Sequence, residues 1–194
     1  MSPAGALVTL SERVAAEGEP LSDHVVSPSV EPVLGELAAA GPRTSGSAAE
    51  YSLVVEAVRE GYLCHYGTPR ILEGSDSDLE LLAGDLFYAI GISGLAALDD
   101  PESVGILSDL IRIAAGFRAV GETDRAEALW LSQILALTCG MDPAQKELVE
   151  ALRRGEEGSL EALNEWSSVS AEEHGIGRAY LVARKAIDSV ISNL

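Results

Sequence analysis

Cysteine is nearly absent. Cys64 and Cys139 are the only two, far apart and without metal-ligand spacing, so neither a structural disulfide nor a thiolate zinc site is expected, and the pair fits a reducing, cytoplasmic setting. Histidine is as scarce: His24, His65 and His174 share no short motif with a cysteine or with one another, so neither a metal centre nor a catalytic triad can be read from their spacing. Positive charge is short as well. Thirteen Lys and Arg stand against 31 Asp and Glu, a formal net charge of −18. That balance argues against nucleic acid and against an anionic membrane surface, both of which need a basic face. No Gly-rich phosphate loop, alternating strand pattern or fixed-period repeat occurs. The N-terminus lacks a basic region followed by an apolar core, so no signal peptide is expected.

What is present favours helix. Aromatics make up only 5% of the 194 residues, and Ala, Leu and Glu dominate. Apolar residues recur at helical spacing from residue 5 onward, with Gly and Pro punctuation between the segments. A short amphipathic stretch (5–16) is followed by a Pro- and Ser-rich loop (18–32) and a brief helix from Val33 to Ala40, stopped by Gly41-Pro42. This divides the chain into an N-terminal helix-and-loop segment, 1–43, and a helical bundle domain, 44–194. Ser47/Glu50, Ser77/Glu80 and Ser170/Glu173 have the spacing of capping boxes. Asp100-Pro101 and Asp142-Pro143 have the Asp N-cap and N1 proline of a helix start. The fold class is all-α, a roughly antiparallel bundle of seven or eight helices.

The segment 77–98 is expected at the centre of that bundle. Leu86 to Leu98 carries no charge, and a helix apolar all round belongs among other helices. Gly84, Gly91 and Gly94 each cost roughly 1 kcal/mol in a helix interior, which is explained if neighbouring backbones approach closely. A helix over 47–63 presents a wide stripe of Tyr51, Val54, Val55, Val58 and Tyr62. Part of that stripe is expected to meet a second chain, in a homodimer or heterodimer burying on the order of 1,000 Å². The competing expectation is that residues 1–40 fold over it. Few residues suggest chemistry. Glu56 and Glu60, four apart, could share a divalent cation or simply form a solvated helix face with Arg59 beside them. Arg70 could bind an anion or pair with nearby acids. Asp85 is the one carboxylate set into the apolar stretch.

Leu82-Ala-Gly-Asp-Leu-Phe-Tyr-Ala-Ile90, with Leu95-Ala96, resembles a helix of trans-polyprenyl diphosphate synthases in the isoprenoid synthase superfamily. The resemblance is closer still to the small non-catalytic component of heterodimeric heptaprenyl diphosphate synthases. Gly67-Thr-Pro69 lies where those synthases carry an Arg-Arg-Gly-x-Pro loop, and Glu56-Ala-Val-Arg-Glu60 lies near their first aspartate-rich motif. The likeness covers about 47–120. It implies a truncated isoprenoid-synthase fold and an isoprenoid ligand near Glu56, Glu60, Arg70 and Asp85. The departures are mechanistic. Prenyl transfer in that family uses two facing acidic clusters that hold Mg²⁺ on an allylic diphosphate. Here the first cluster is degraded, the Arg pair is missing and no second cluster follows. The resemblance therefore implies a non-catalytic protein with no catalytic residues and no cofactor, working as a homodimer or beside a catalytic synthase subunit. Two alternatives stay open: a small Mg²⁺-dependent prenyl-chain or terpenoid enzyme, and a helical interaction module of unrelated function.

Overall fold

The computed structural model describes residues 2–191, with side chains described as far as Ser189. Nine α-helices and no strand occur among the described residues: α1 (Ala6–Ala15), α2 (Val33–Ala40), α3 (Ala48–Tyr66), α4 (Ser77–Ala97), α5 (Pro101–Ala119), α6 (Thr123–Cys139), α7 (Pro143–Arg153), α8 (Ser159–Glu173) and α9 (Gly177–Ile191). The fold is all-α, with one helix more than the expected upper count.

Helix starts follow local chemistry, with corrections. Asp100 and Asp142 are N-caps, their side chains accepting from the backbone N–H of Ser103 and Ala144, each before a first-turn proline. The cap of α4 is Asp76, accepting from Leu79 N–H, one residue before the expected Ser77. Ser47 precedes α3 without a capping side-chain bond. Ser170 lies inside α8, which runs on past Trp166, and the last helix begins at Gly177. The expected inward side chains Val190 and Ile191 lie outside the described ones, whereas Ile176, Tyr180, Ala183 and Ile187 are buried.

The centre of the bundle is α3, not α4. Every residue from Tyr51 to Cys64 is buried, whereas only 28% of the most apolar window of α4 is. The expectation that 86–98 would be the most buried run is therefore wrong. A charge-free sequence identified the wrong helix because the exposed positions between Leu86 and Ala97 are small groups, Ala89, Ser93, Ala96 and Ala97. Their exposure costs little, since hydrophobic free energy follows apolar area. By length and composition α4 could cross a membrane; here it packs on α3. That contact is close, as its glycines suggested. A Cβ on Gly91 would lie 2.5 Å from Val58 Cγ2, and one on Gly84 would lie 2.7 Å from His65 Nε2.

The N-terminal segment is part of this packing. Leu7, Leu10 and Val14 of α1 share a core with Leu53, Ala57 and Cys64 of α3 and with Phe87 of α4. Leu34, Leu37 and Ala38 of α2 belong to the larger core with Val55, Leu129, Trp130 and Tyr180. The stripe on α3 that suggested a second chain is thus covered from within, by α2 of the N-terminal segment as the competing expectation had it and, at Val54 and Val58, by α4. Arg43 ties the segment down. Its guanidinium donates to Asp100 Oδ1 at 2.6 Å, Ser103 Oγ at 2.8 Å and the Leu137 carbonyl at 2.9 Å. Tyr51 Oη donates to Asp100 Oδ2 at 2.7 Å. Burial works against charge on Asp100, but the bonds from Ser103, Tyr51 and Arg43 hold it well below the usual carboxylate range.

Candidate functional site

Glu56 and Glu60 occupy successive turns of α3, and both are fully buried. They form no solvated face. Glu56 Oε1 accepts from Gly35 N–H at 2.6 Å. This bond depends on glycine, because a Cβ at Gly35 would clash with Ser52 Oγ. Glu60 Oε1 accepts the backbone N–H of Arg70 and, at 3.1 Å, that of Ile71. The remaining oxygens meet Arg70: Glu56 Oε2 is 2.7 Å from Nη2, and Glu60 Oε2 is 2.8 Å from Nε. The 67–76 loop is held in place by Val26 N–H donating to the Ile71 carbonyl at 3.0 Å and Glu73 N–H to that of His24 at 2.9 Å. Burial opposes the charge on Arg70, and the two carboxylates more than offset it, so its guanidinium stays charged. Asp85 does not join this cluster. It projects from α4 with its side chain 76% exposed, 3.3 Å from His65 Nε2.

This donor set does not fit a divalent cation. Mg²⁺ needs free carboxylate oxygens and keeps several waters, while every oxygen of Glu56 and Glu60 already faces a donor and Arg70 fills the space between them. Among the described residues no group of three or more His, Cys, Asp or Glu is placed to hold a metal. The cysteines offer no nucleophile either. Burial pushes the Cys64 thiol up to about 12, with Glu60 and Glu80 adding to the effect, and pushes Cys139 up to about 11, so neither is a thiolate at neutral pH.

Beyond Arg70 lies a cavity of about 370 Å³ among α2, α3, α5, α6 and α9. Its wall is largely apolar, with Leu34, Leu63, Tyr66 and Ile187, and Arg59, Arg70 and Arg118 open onto it. Arg59 pairs with Glu127 of α6, Nη2 to Oε2 at 2.9 Å, and both side chains are about 5% exposed or less. Its guanidinium lies 4.9 Å from the Trp130 ring centre and 5.1 Å from that of Tyr62, within cation–π range. The sequence reading placed Arg59 only as a neighbour of the acids, and it missed Tyr62, Arg118 and Glu127 as a group. The available signal was an arginine beside the wide apolar stripe of α3, which, once buried, needs a partner.

No family model, curated protein or solved structure matches the chain.

Proposed function

We propose that the chain is a non-catalytic, isoprenoid-synthase-like helical protein that works beside a catalytic subunit. The observation carrying this reading is Arg70 between Glu56 and Glu60. The only acidic pair at metal-binding spacing on the central helix is neutralised from within, so the chain cannot hold Mg²⁺ on a diphosphate there. The likeness of Leu82–Ile90 to the synthase helix supports the choice of family. Purified protein with Mg²⁺ and radiolabelled allylic and homoallylic diphosphates should give no condensation product. Robust product that disappears in Glu56→Ala would overturn the reading.

The interaction-module reading draws on a separate feature. A groove of about 680 Å³ runs between α1, α3 and α4, lined by Leu53, Val54, Leu86, Ala89, Ile90 and Ala97, and Leu82 nearby on α4 is 66% exposed. With α3 covered, the homodimer or heterodimer would form on this side. Sedimentation alone and with a full-length synthase, repeated with Leu82→Glu, tests both pairings.

A further inference from the structure

The wall of the cavity beyond Arg70 carries two buried polar groups that no described residue answers. Arg59 is 4% exposed and Tyr62 2%. Both line the cavity, and neither Arg59 Nη1 nor Tyr62 Oη has a hydrogen-bond partner among the described residues. Orphaned donors at this depth are uncommon, and each costs free energy comparable to a lost hydrogen bond. Burial pushes the Tyr62 hydroxyl up, and Glu127 adds to the effect, so it remains a donor at neutral pH. Arg118 completes the set. It donates to Thr123 Oγ1 at 2.6 Å and to the Tyr66 carbonyl, and no carboxylate pairs with it among the described residues. In a chain with 31 acidic and 13 basic residues, an arginine opening onto a largely apolar cavity without an acid partner marks a place for an outside anion.

We propose that this cavity binds a small amphipathic anion, an oxyanion head on an apolar body, with the head accepting from Arg59 Nη1, Tyr62 Oη and Arg118. The apolar body lies against Leu34, Leu63 and Ile187. A volume of about 370 Å³ is that of roughly a dozen waters, which suits a medium-length chain. Two carboxylates also face the space: Glu127, whose charge is answered by Arg59 Nη2, and Glu31, which is exposed to solvent. Carboxylate and phosphate heads both satisfy this chemistry, because a guanidinium fork matches either. The site uses no metal and is independent of the partner-subunit reading.

The test is calorimetric titration of the full chain, without divalent metal, using decanoate, decyl phosphate, decanol and inorganic phosphate. At least one of the two amphipathic anions should bind with a dissociation constant at or below the order of 100 µM, within reach of a ligand of that size. Decanol and inorganic phosphate should bind at least tenfold more weakly. Binding by decanoate alone or decyl phosphate alone supports the site and assigns its head. Tyr62→Phe and Arg118→Gln should each weaken anion binding about tenfold or more, the effect of losing a hydrogen bond to a charged group. Tyr62→Phe removes an orphaned hydroxyl, so the free variant should melt no lower than wild type, and half-buried Arg118 can be replaced without disturbing the core. Failure of both anions to bind, decanol binding as tightly as the anions, or folded variants retaining full affinity would each overturn the proposal.

Discussion

Arg70 is the residue on which two buried carboxylates depend. Removing it leaves Glu56 and Glu60 charged, close together and away from water, and breaking a buried charge group by removing one partner typically costs about 3–5 kcal/mol. Arg70→Met should therefore lower the urea midpoint steeply. Replacing the whole group with Glu56→Gln, Glu60→Gln and Arg70→Met together should recover much of the loss, since the amide oxygens can still accept from Gly35 and Ile71. Asp100 allows a test with pH. Its folded-state pKa is depressed, so its contribution is complete above the unfolded value of about 3.9 and is lost as pH falls below it toward the folded value. Asp100→Asn should be less stable than wild type by about 2–3 kcal/mol at neutral pH, and the gap should close below about pH 4. Denaturant titrations of both proteins between neutral and acid pH check this. The identities of these residues were legible in part. Glu56, Glu60 and Arg70 stood out by spacing and position, and Asp100 by its proline. That Arg70 pairs with nearby acids was one of its two readings; the other partners were not legible, because Glu56 meets Gly35 and Arg59 meets Glu127 across separations that no local pattern encodes.

At the scale of elements, α3 and α4 show how composition can mislead. Three charges within a turn and a half of α3 resemble a solvent face, and the absence of charge from Leu86 to Ala97 of α4 resembles a core. The structure inverts this because charge tolerates burial when each group finds a partner, and small side chains tolerate exposure. Helix existence, and the Asp-Pro and Gly boundaries, were readable because they rest on local backbone chemistry. Which helix lies innermost depends on partners that arrive later in the chain. The glycines of α4 were informative in the expected sense. Gly91 sits against Val58 and the Val54 carbonyl, where backbone cannot give way. Gly91→Leu should overpack the contact and destabilise by about 1–3 kcal/mol. Gly116, with nothing within 4 Å of its added Cβ, should accept Ala with no loss. Thermal melts of the two variants separate close packing from general helix propensity.

For the whole molecule, the first forty residues are structural. A chain starting at Thr44 loses Leu7, Leu10, Val14, Leu34 and Leu37, all buried, and leaves Glu56 without Gly35 N–H. It should lose cooperative unfolding and bind a hydrophobic dye; cooperative melting near the full-length temperature would show that α1 and α2 are dispensable. The ion pairs of α3 also differ in how long they wait for completion during synthesis. Glu60 meets Arg70 ten positions later, whereas Arg59 meets Glu127 at a separation of 68. At about 5–20 residues per second, the second partner follows by roughly 3–14 s. For that interval a helix destined for the interior carries an unanswered guanidinium.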